Sequence, residues 1–209
     1  MRTVGVVGLG AMGLAIALVF CAAGRAVLAT DAREAARDEA HGRLAQRLAD
    51  LISNRELREE EADAILGRLI VVDGPGSMAS ADLVVEAVTE DLAAKRVVFS
   101  ALERVLAPGA VVATNTSSLS VASLARGMRH LERVIGLHFF NPAPATGLVE
   151  LVRHPGTGEE AAARVRSAAE RAGQTVVEAP VTPGFIVNRL ARSFYGEALA
   201  LLDEGRGTA

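Results

Sequence analysis

The six residues Gly8-Leu-Gly-Ala-Met-Gly13 restrict the fold of this chain more than any other stretch, because of what stands on either side of them. Before them runs Thr3-Val-Gly-Val-Val7, short and β-prone. Within and after them an apolar helical pattern extends from about Ala11 to Ala23, with Gly24 as its C-terminal stop. Ala26-Val-Leu-Ala-Thr30 then reads as a second strand that ends on Asp31. Strand, glycine turn, helix, strand and acid, in this order and spacing, predict a doubly wound α/β sheet of the Rossmann type.

Each glycine has its own reason to be there. Gly8 permits the tight turn, Gly10 leaves room for a pyrophosphate against the backbone, and Gly13 lets the helix approach the sheet. The first helical residues, Ala11 and Met12, supply amides at the positive end of the helix dipole. Asp31, 21 residues beyond Gly10, falls where a carboxylate accepts the adenosine ribose hydroxyls. An acid at that point repels a 2′-phosphate, so the expected cofactor is NAD rather than NADP; Arg33, two residues on, pulls the other way. The bland alternative is a glycine-rich turn that holds nothing.

The remaining chain continues the alternation. Residues 34 to 70 read as two helices broken near Ser53-Asn54, a helical-hairpin insertion into the doubly wound plan. Arg43 and Arg47 lie one turn apart on it, with Arg55 and Arg58 near its tip; they meet a phosphate-bearing substrate handle or form a solvated face. Further strands are expected at Leu69–Val72, Asp82–Val88, Ala110–Thr114, Val134–His138 and Gln174–Glu178. Glu90-Asp91 open a helix that carries Lys95, the only lysine of the chain. Asn115-Thr-Ser-Ser118 sit at the carboxyl end of a strand, where open α/β sheets bind their ligands; Ser118 or Ser120 alternatively caps the next helix. Thr157-Gly-Glu-Glu160 fits a capping box for a helix over 159–172. Pro180 and Pro183-Gly184 form a linker, dividing a domain of residues 1–180 from a segment of residues 181–209. That segment is expected to be helical from Phe185 to Leu202, with a stripe of Ile186, Leu190, Phe194, Ala198 and Leu201 that has little left to pack against.

Between strand and linker lies a stretch with titratable chemistry. His138 ends an apolar run, a Gly/Pro-rich turn follows, and a second apolar run, Leu148-Val-Glu-Leu-Val152, carries Glu150 in its interior. A buried acid needs a partner, and a hairpin-like return brings Glu150 beside His138, the arrangement of a carboxylate-held general base. The other reading is a surface histidine and an edge-strand glutamate that never meet.

Composition narrows the partners. A net charge of -3 and a pI near 5.9 give neither a nucleic-acid footprint nor a polybasic membrane patch. No run reaches the ~18 apolar residues of a membrane span, and no targeting signal is read. The one cysteine, Cys21, lies in an apolar helical run, which points to a reducing compartment, the cytoplasm, and away from a disulfide framework. No metal-ligand spacing stands out.

Five ordered motifs resemble the L-3-hydroxyacyl-CoA dehydrogenases: Gly8-Leu-Gly-Ala-Met-Gly13 with Asp31, Glu86-Ala-Val with Glu90-Asp-Leu and Lys95, Asn115-Thr-Ser-Ser-Leu119, His138-Phe-Phe-Asn-Pro142, and Thr182-Pro-Gly-Phe-Ile-Val-Asn-Arg189. The likeness covers essentially the whole chain and is greatest to the bacterial 3-hydroxybutyryl-CoA and phenylacetate-pathway 3-hydroxyadipyl-CoA branch. It implies His138 as general base with Glu150 as its orienting partner, and Ser117 and Asn188 as hydrogen-bonding residues around substrate and histidine. It implies that Gly8, Gly10, Ala11, Met12, Gly13, Asp31, Glu90, Lys95 and Asn115 bind NAD. The substrate class would be acyl-CoA. Members of the family continue into an all-α C-terminal domain that makes the dimer contact and one wall of the acyl pocket; residues 181–209 are expected to be its first helix, the domain being truncated. An NAD- and CoA-binding piece without turnover is therefore the alternative to a working enzyme. Thr146-Gly147 replace the bulkier residues usual after Asn-Pro-x-Pro, so acyl preference does not transfer.

Overall fold

The structure, a computed structural model, describes residues 1–208. Strand β1 (Thr3–Val7) runs into helix α1 (Ala11–Ala22), and β2 (Ala26–Thr30) returns parallel to β1 with Val4 opposite Val27 and Val7 opposite Thr30. Nine consecutive residues of α1, Gly13 to Cys21, are buried. A helix that is apolar all round needs cover on both sides. The sheet covers one side, and the insertion covers the other with α2 (Glu34–Asp38), α3 (Ala40–Ser53) and α4 (Glu59–Leu66). The insertion thus has three helices where two were expected: the break at Ser53 holds, and a short first helix ends at Asp38, before Ala40 begins the next. Burial pushes the Cys21 thiol up to about 12, against a smaller opposing effect of Arg68, so it is an inert core side chain.

The chain then lays down β3 (Leu69–Val71) and β4 (Leu83–Glu86), crosses by α5 (Leu92–Val105) to β5 (Val111–Thr114), and by α6 (Val121–Ala125) to β6 (Val134–Phe139). Every residue of β4, β5 and β6 is buried, as strands covered by helices on both faces require. A short helix, α7 (Ala143–Thr146), ends at Gly147, whose φ of 58° in the left-handed region turns the chain back into β7 (Leu148–Val152). β7 is antiparallel to β6; α8 (Glu159–Arg171) and β8 (Thr175–Ala179) complete an eight-stranded sheet of order β3-β2-β1-β4-β5-β6-β7-β8. One face packs on α1, the insertion and α8; the other packs on α5 and α6.

Two local expectations fail. Gly158, not Thr157, is the N-cap of α8, and no side chain caps it. The Thr157 hydroxyl donates to the Val134 carbonyl at 2.8 Å and accepts the His154 N–H at 3.1 Å, so tertiary partners take the oxygen that the capping signature would have used. The last helix, α9 (Val187–Asp203), starts two residues later than expected because Phe185 adopts a φ of 49°, which no α-helix accommodates. None of its residues is buried; Leu190 is 67% and Phe194 72% exposed.

Candidate functional site

Parallel strands wound outward from β1 in two directions leave a crevice beyond the carboxyl ends of β1 and β4, and the loop Ala87–Thr89 lies there. Two cavities meet at it, sharing Ala87 and Val88. One, of about 590 Å³, is lined by Gly8, Gly10, Asp31, Arg33 and Val97; the other, of about 380 Å³, by Met12, Glu90, Lys95, Asn115, Ser117, His138 and Asn188. The long trough they form brings together the residues that the motifs singled out.

The glycine loop fits a dinucleotide. A Cβ on Gly8, whose φ is 100°, would lie 2.6 Å from the Ala87 carbonyl oxygen, and one on Gly13 would collide with the Gly8 carbonyl. At Gly10 a Cβ would meet nothing within 4 Å: the backbone there faces open space, and as N-cap of α1 it carries no side chain to occupy the helix amides. That space is the cradle a pyrophosphate needs. Asp31 Oδ2 accepts the Leu9 N–H at 2.8 Å, which fixes the acid against the loop, and Oδ1 accepts the Arg33 N–H at 2.9 Å. Burial tends to raise the Asp31 carboxyl, but these N–H donors and the Arg33 guanidinium outweigh it and hold the group below its ordinary value. It is an anion at neutral pH, suited to ribose hydroxyls.

Beyond the shared loop, Glu90 is the organising acid. Its Oε1 accepts the Thr116 hydroxyl at 2.5 Å, the Ser117 and Ser118 N–H groups at 3.0 and 3.1 Å, and the Ser118 hydroxyl at 3.0 Å. Partial burial opposes its charge, but the Thr116 hydroxyl, the Lys95 charge and Ser118 win and lower it to about 2. The Lys95 ammonium, 1% exposed, sits 2.8 Å from Glu86 Oε1, 3.3 Å from Glu90 Oε2 and 3.3 Å from the Val88 carbonyl oxygen. Three acceptors match its three N–H donors. Glu86, fully buried, also accepts the Val88 N–H and the Thr114 hydroxyl. Asn115 Oδ1 accepts the Phe139 N–H at 2.8 Å, tying the ends of β5 and β6 together.

His138 and Glu150 meet as the hairpin-like return predicts. They are cross-strand partners in the β6–β7 ladder, 5% and 1% exposed, and His138 Nδ1 lies 2.7 Å from Glu150 Oε2. A carboxylate at Nδ1 selects the tautomer with its proton there, leaving the Nε2 lone pair for the cavity that the ring lines. Glu150 Oε1 is used as well: the Ile186 and Val187 N–H groups donate to it at 2.9 Å each. Asn188 follows in the first turn of α9, on the wall of the same cavity, as is Ser117 at the end of β5.

Four residues named above take partners that their sequence context does not reveal; Arg43 and Arg47 neither form a free solvated face nor stand open for a substrate handle. Arg43 Nη1 donates to the Leu9 carbonyl at 2.8 Å and Arg47 Nη2 to the Ala11 carbonyl at 3.3 Å, so the insertion clamps the glycine loop from outside. Glu86 and Thr116 are the inner supports of Lys95 and Glu90. A charged residue in a buried β-run is the signal for Glu86; the one-turn spacing of Arg43 and Arg47 marks them as a pair, but nothing in sequence points to carbonyls 34 and 36 residues away as their acceptors. Among the described residues no group of three or more His, Cys, Asp or Glu side chains has the geometry to hold a metal ion.

Comparison with known proteins gives concordant matches. The family described as 3-hydroxyacyl-CoA dehydrogenase, NAD binding domain, matches residues 3–181. A 3-hydroxyadipyl-CoA dehydrogenase of Escherichia coli K12 is 40% identical over 203 residues, covering 97% of this chain and 43% of that protein. A 3-hydroxybutyryl-CoA dehydrogenase of Mycobacterium tuberculosis is 39% identical over 209 residues, covering 99% of this chain and 73% of its own length. The crystal structure of M. tuberculosis FadB2 superposes with a TM-score of 0.96 at 38% identity, over 100% of this chain and 74% of that one. The chain therefore spans under half of the first relative and about three quarters of the other two.

Proposed function

Because the chain belongs to the 3-hydroxyacyl-CoA dehydrogenase family and carries its NAD-binding domain, we propose that it oxidises (3S)-3-hydroxyacyl-CoA to 3-ketoacyl-CoA and runs the reverse reaction. The observation that carries this reading is the buried His138–Glu150 pair, with 2.7 Å between Nδ1 and Oε2, opening onto the same trough as the glycine loop. NAD, when bound, supplies the hydride chemistry. Gly8, Gly10, Ala11, Met12 and Gly13 would hold its pyrophosphate and Asp31 its adenosine ribose, with Glu90, Lys95 and Asn115 around the nicotinamide half.

The chain's own part is placement and proton traffic. His138 Nε2 takes the proton of the substrate 3-hydroxyl as the C3 hydrogen departs with its electron pair. Glu150 keeps the imidazole in the required tautomer and offsets the positive charge it acquires. Ser117 and Asn188 hydrogen-bond the substrate oxygen beside the ring. The relatives' names support short acyl-CoA substrates, a four-carbon chain or a six-carbon dicarboxylic one; β-oxidation and phenylacetate breakdown are the proposed pathways. The proposed setting is the cytoplasm, with pairing of two copies through a helical domain that begins at residue 181.

A second reading, an NAD- and CoA-binding piece without turnover, draws on one observation: the apolar positions of α9 beside the site are exposed, Leu190 at 67% and Phe194 at 72%. Incubating this chain with acetoacetyl-CoA and NADH separates the two. Steady loss of NADH absorbance supports the enzyme; NADH binding without loss supports the second reading; absence of NADH binding overturns both.

A further inference from the structure

Phe185 is an anomaly in the linker. Its φ of 49° lies in the left-handed region, where a bulky side chain is an outlier, yet its neighbour Gly184, at 78°, shows that the chain uses glycine nearby for the same purpose. A bulky aromatic residue in that region is strained, and its surroundings must hold it there. Here they do: the Phe185 ring is 4% exposed and meets the His138 ring edge-on, with centroids 5.6 Å apart and planes at 62°. Its N–H donates to the Thr182 carbonyl at 2.9 Å, closing a tight turn. The turn aims the next two amides, of Ile186 and Val187, at Glu150 Oε1. Phe185 does not line the cavity around His138.

We propose that Phe185 is a positioning residue for the base: its ring seats His138, and the backbone turn it occupies docks the start of α9 onto Glu150, so that base, acid partner and Asn188 move as one unit. Glu150 then serves two masters, with one oxygen on the imidazole and the other on the helix. A shift of α9 is felt at His138 without any change at the cofactor loop. The linker thereby couples the second segment of the chain to the ionisable pair. This inference rests on His138 as the base of the proposed reaction.

The test uses the 209-residue chain with ¹⁵N-labelled histidine, in the parent and in Phe185→Gly, Phe185→Ala and Phe185→Leu. Phe185→Gly removes the ring while easing the backbone, so it separates positioning from strain; Phe185→Leu keeps bulk against the imidazole. Expected are displaced His138 ring resonances in the Gly and Ala variants, with His41, His130 and His154 unmoved. A kcat about 10- to 100-fold lower should accompany them, as small misplacements of a reacting group produce, with NADH affinity within about twofold of the parent and Phe185→Leu restoring most of the rate. Wild-type His138 resonances in Phe185→Gly would overturn the proposal, and so would a kcat loss in all variants matched by an equal loss of NADH binding. If the parent itself shows no turnover, the enzymatic reading fails, while the resonance measurements still decide whether Phe185 seats the histidine.

Discussion

The two ends of the trough are built by opposite means. The proposed cofactor end is a local structure: residues 8 to 31, contiguous in sequence, present mostly backbone, with Gly10 facing open space and Asp31 pinned to the Leu9 N–H. The other end is assembled from side chains on separate elements, Ser117 after β5, His138 on β6, Glu150 on β7 and Asn188 on α9. A backbone cradle tolerates changes in side chains around it, whereas a constellation of side chains fails when one atom is lost. Substitutions at the two ends should therefore differ in kind as well as in size.

His138→Gln is expected to have the largest effect. Glutamine keeps the size and a polar atom near Glu150 but has no basic nitrogen for the hydroxyl proton. A kcat lower by about 10² to 10⁴-fold is expected, with NADH affinity, measured by fluorescence titration, unchanged because no atom of the cofactor end is touched. Equal losses in kcat and NADH affinity would show that the two ends are not separable.

Arg43→Ala probes the other end and should be milder. It removes the guanidinium that donates to the Leu9 carbonyl at 2.8 Å without altering any residue that lines the trough. One hydrogen bond to a charged group is worth about 1.5–3 kcal/mol at most, and Arg47 on the Ala11 carbonyl remains. The expected result is a several-fold rise in the NADH dissociation constant with kcat at saturating NADH close to the parent. A fall in kcat without a change in binding would place Arg43 in the wrong half of the comparison.

What could be read from sequence follows the same division. The β1–α1–β2 unit was legible because each of its requirements, Gly8 for the turn, Gly13 for the close approach and Asp31 at its spacing, is written in one residue at one offset. The His138–Glu150 contact was legible only in outline: the turn residues around Gly147 and an acid inside an apolar run implied a return, but the register that makes them cross-strand partners is set by the sheet. The Arg43 and Arg47 clamps were not legible, since their acceptors are carbonyls 34 and 36 residues away and any arginine on that helix face looks the same. Nor were the Ile186 and Val187 amides on Glu150, because backbone donors leave no mark in a sequence. Thr157 failed for the converse reason: its local signature was clear, and two tertiary partners outcompeted it.

The smallest expected effect lies at the join between the two ends, in Glu90. Its carboxyl is lowered in the folded chain from 4.5 to about 2, by the Thr116 and Ser118 donors and the Lys95 charge against the opposing effect of burial. The folded state therefore binds fewer protons than the unfolded chain between these two values, and the stabilisation this gives is complete above pH about 4.5 and lost as the pH falls toward about 2. Because the Glu90 side chain is 38% exposed, solvent screens the charge and the gain is discounted to under about 1 kcal/mol. Glu90→Gln removes the titration and keeps an oxygen for the Thr116 and Ser118 donors. Urea unfolding of parent and variant should give a constant stability difference from neutral pH down to pH about 4.5, narrowing below it as the parent's carboxylate takes up its proton. A difference that stays constant through the acid range would mean that Glu90 joins the two ends by its hydrogen bonds alone and that its charge contributes nothing to holding the mouth of β5 beneath the site.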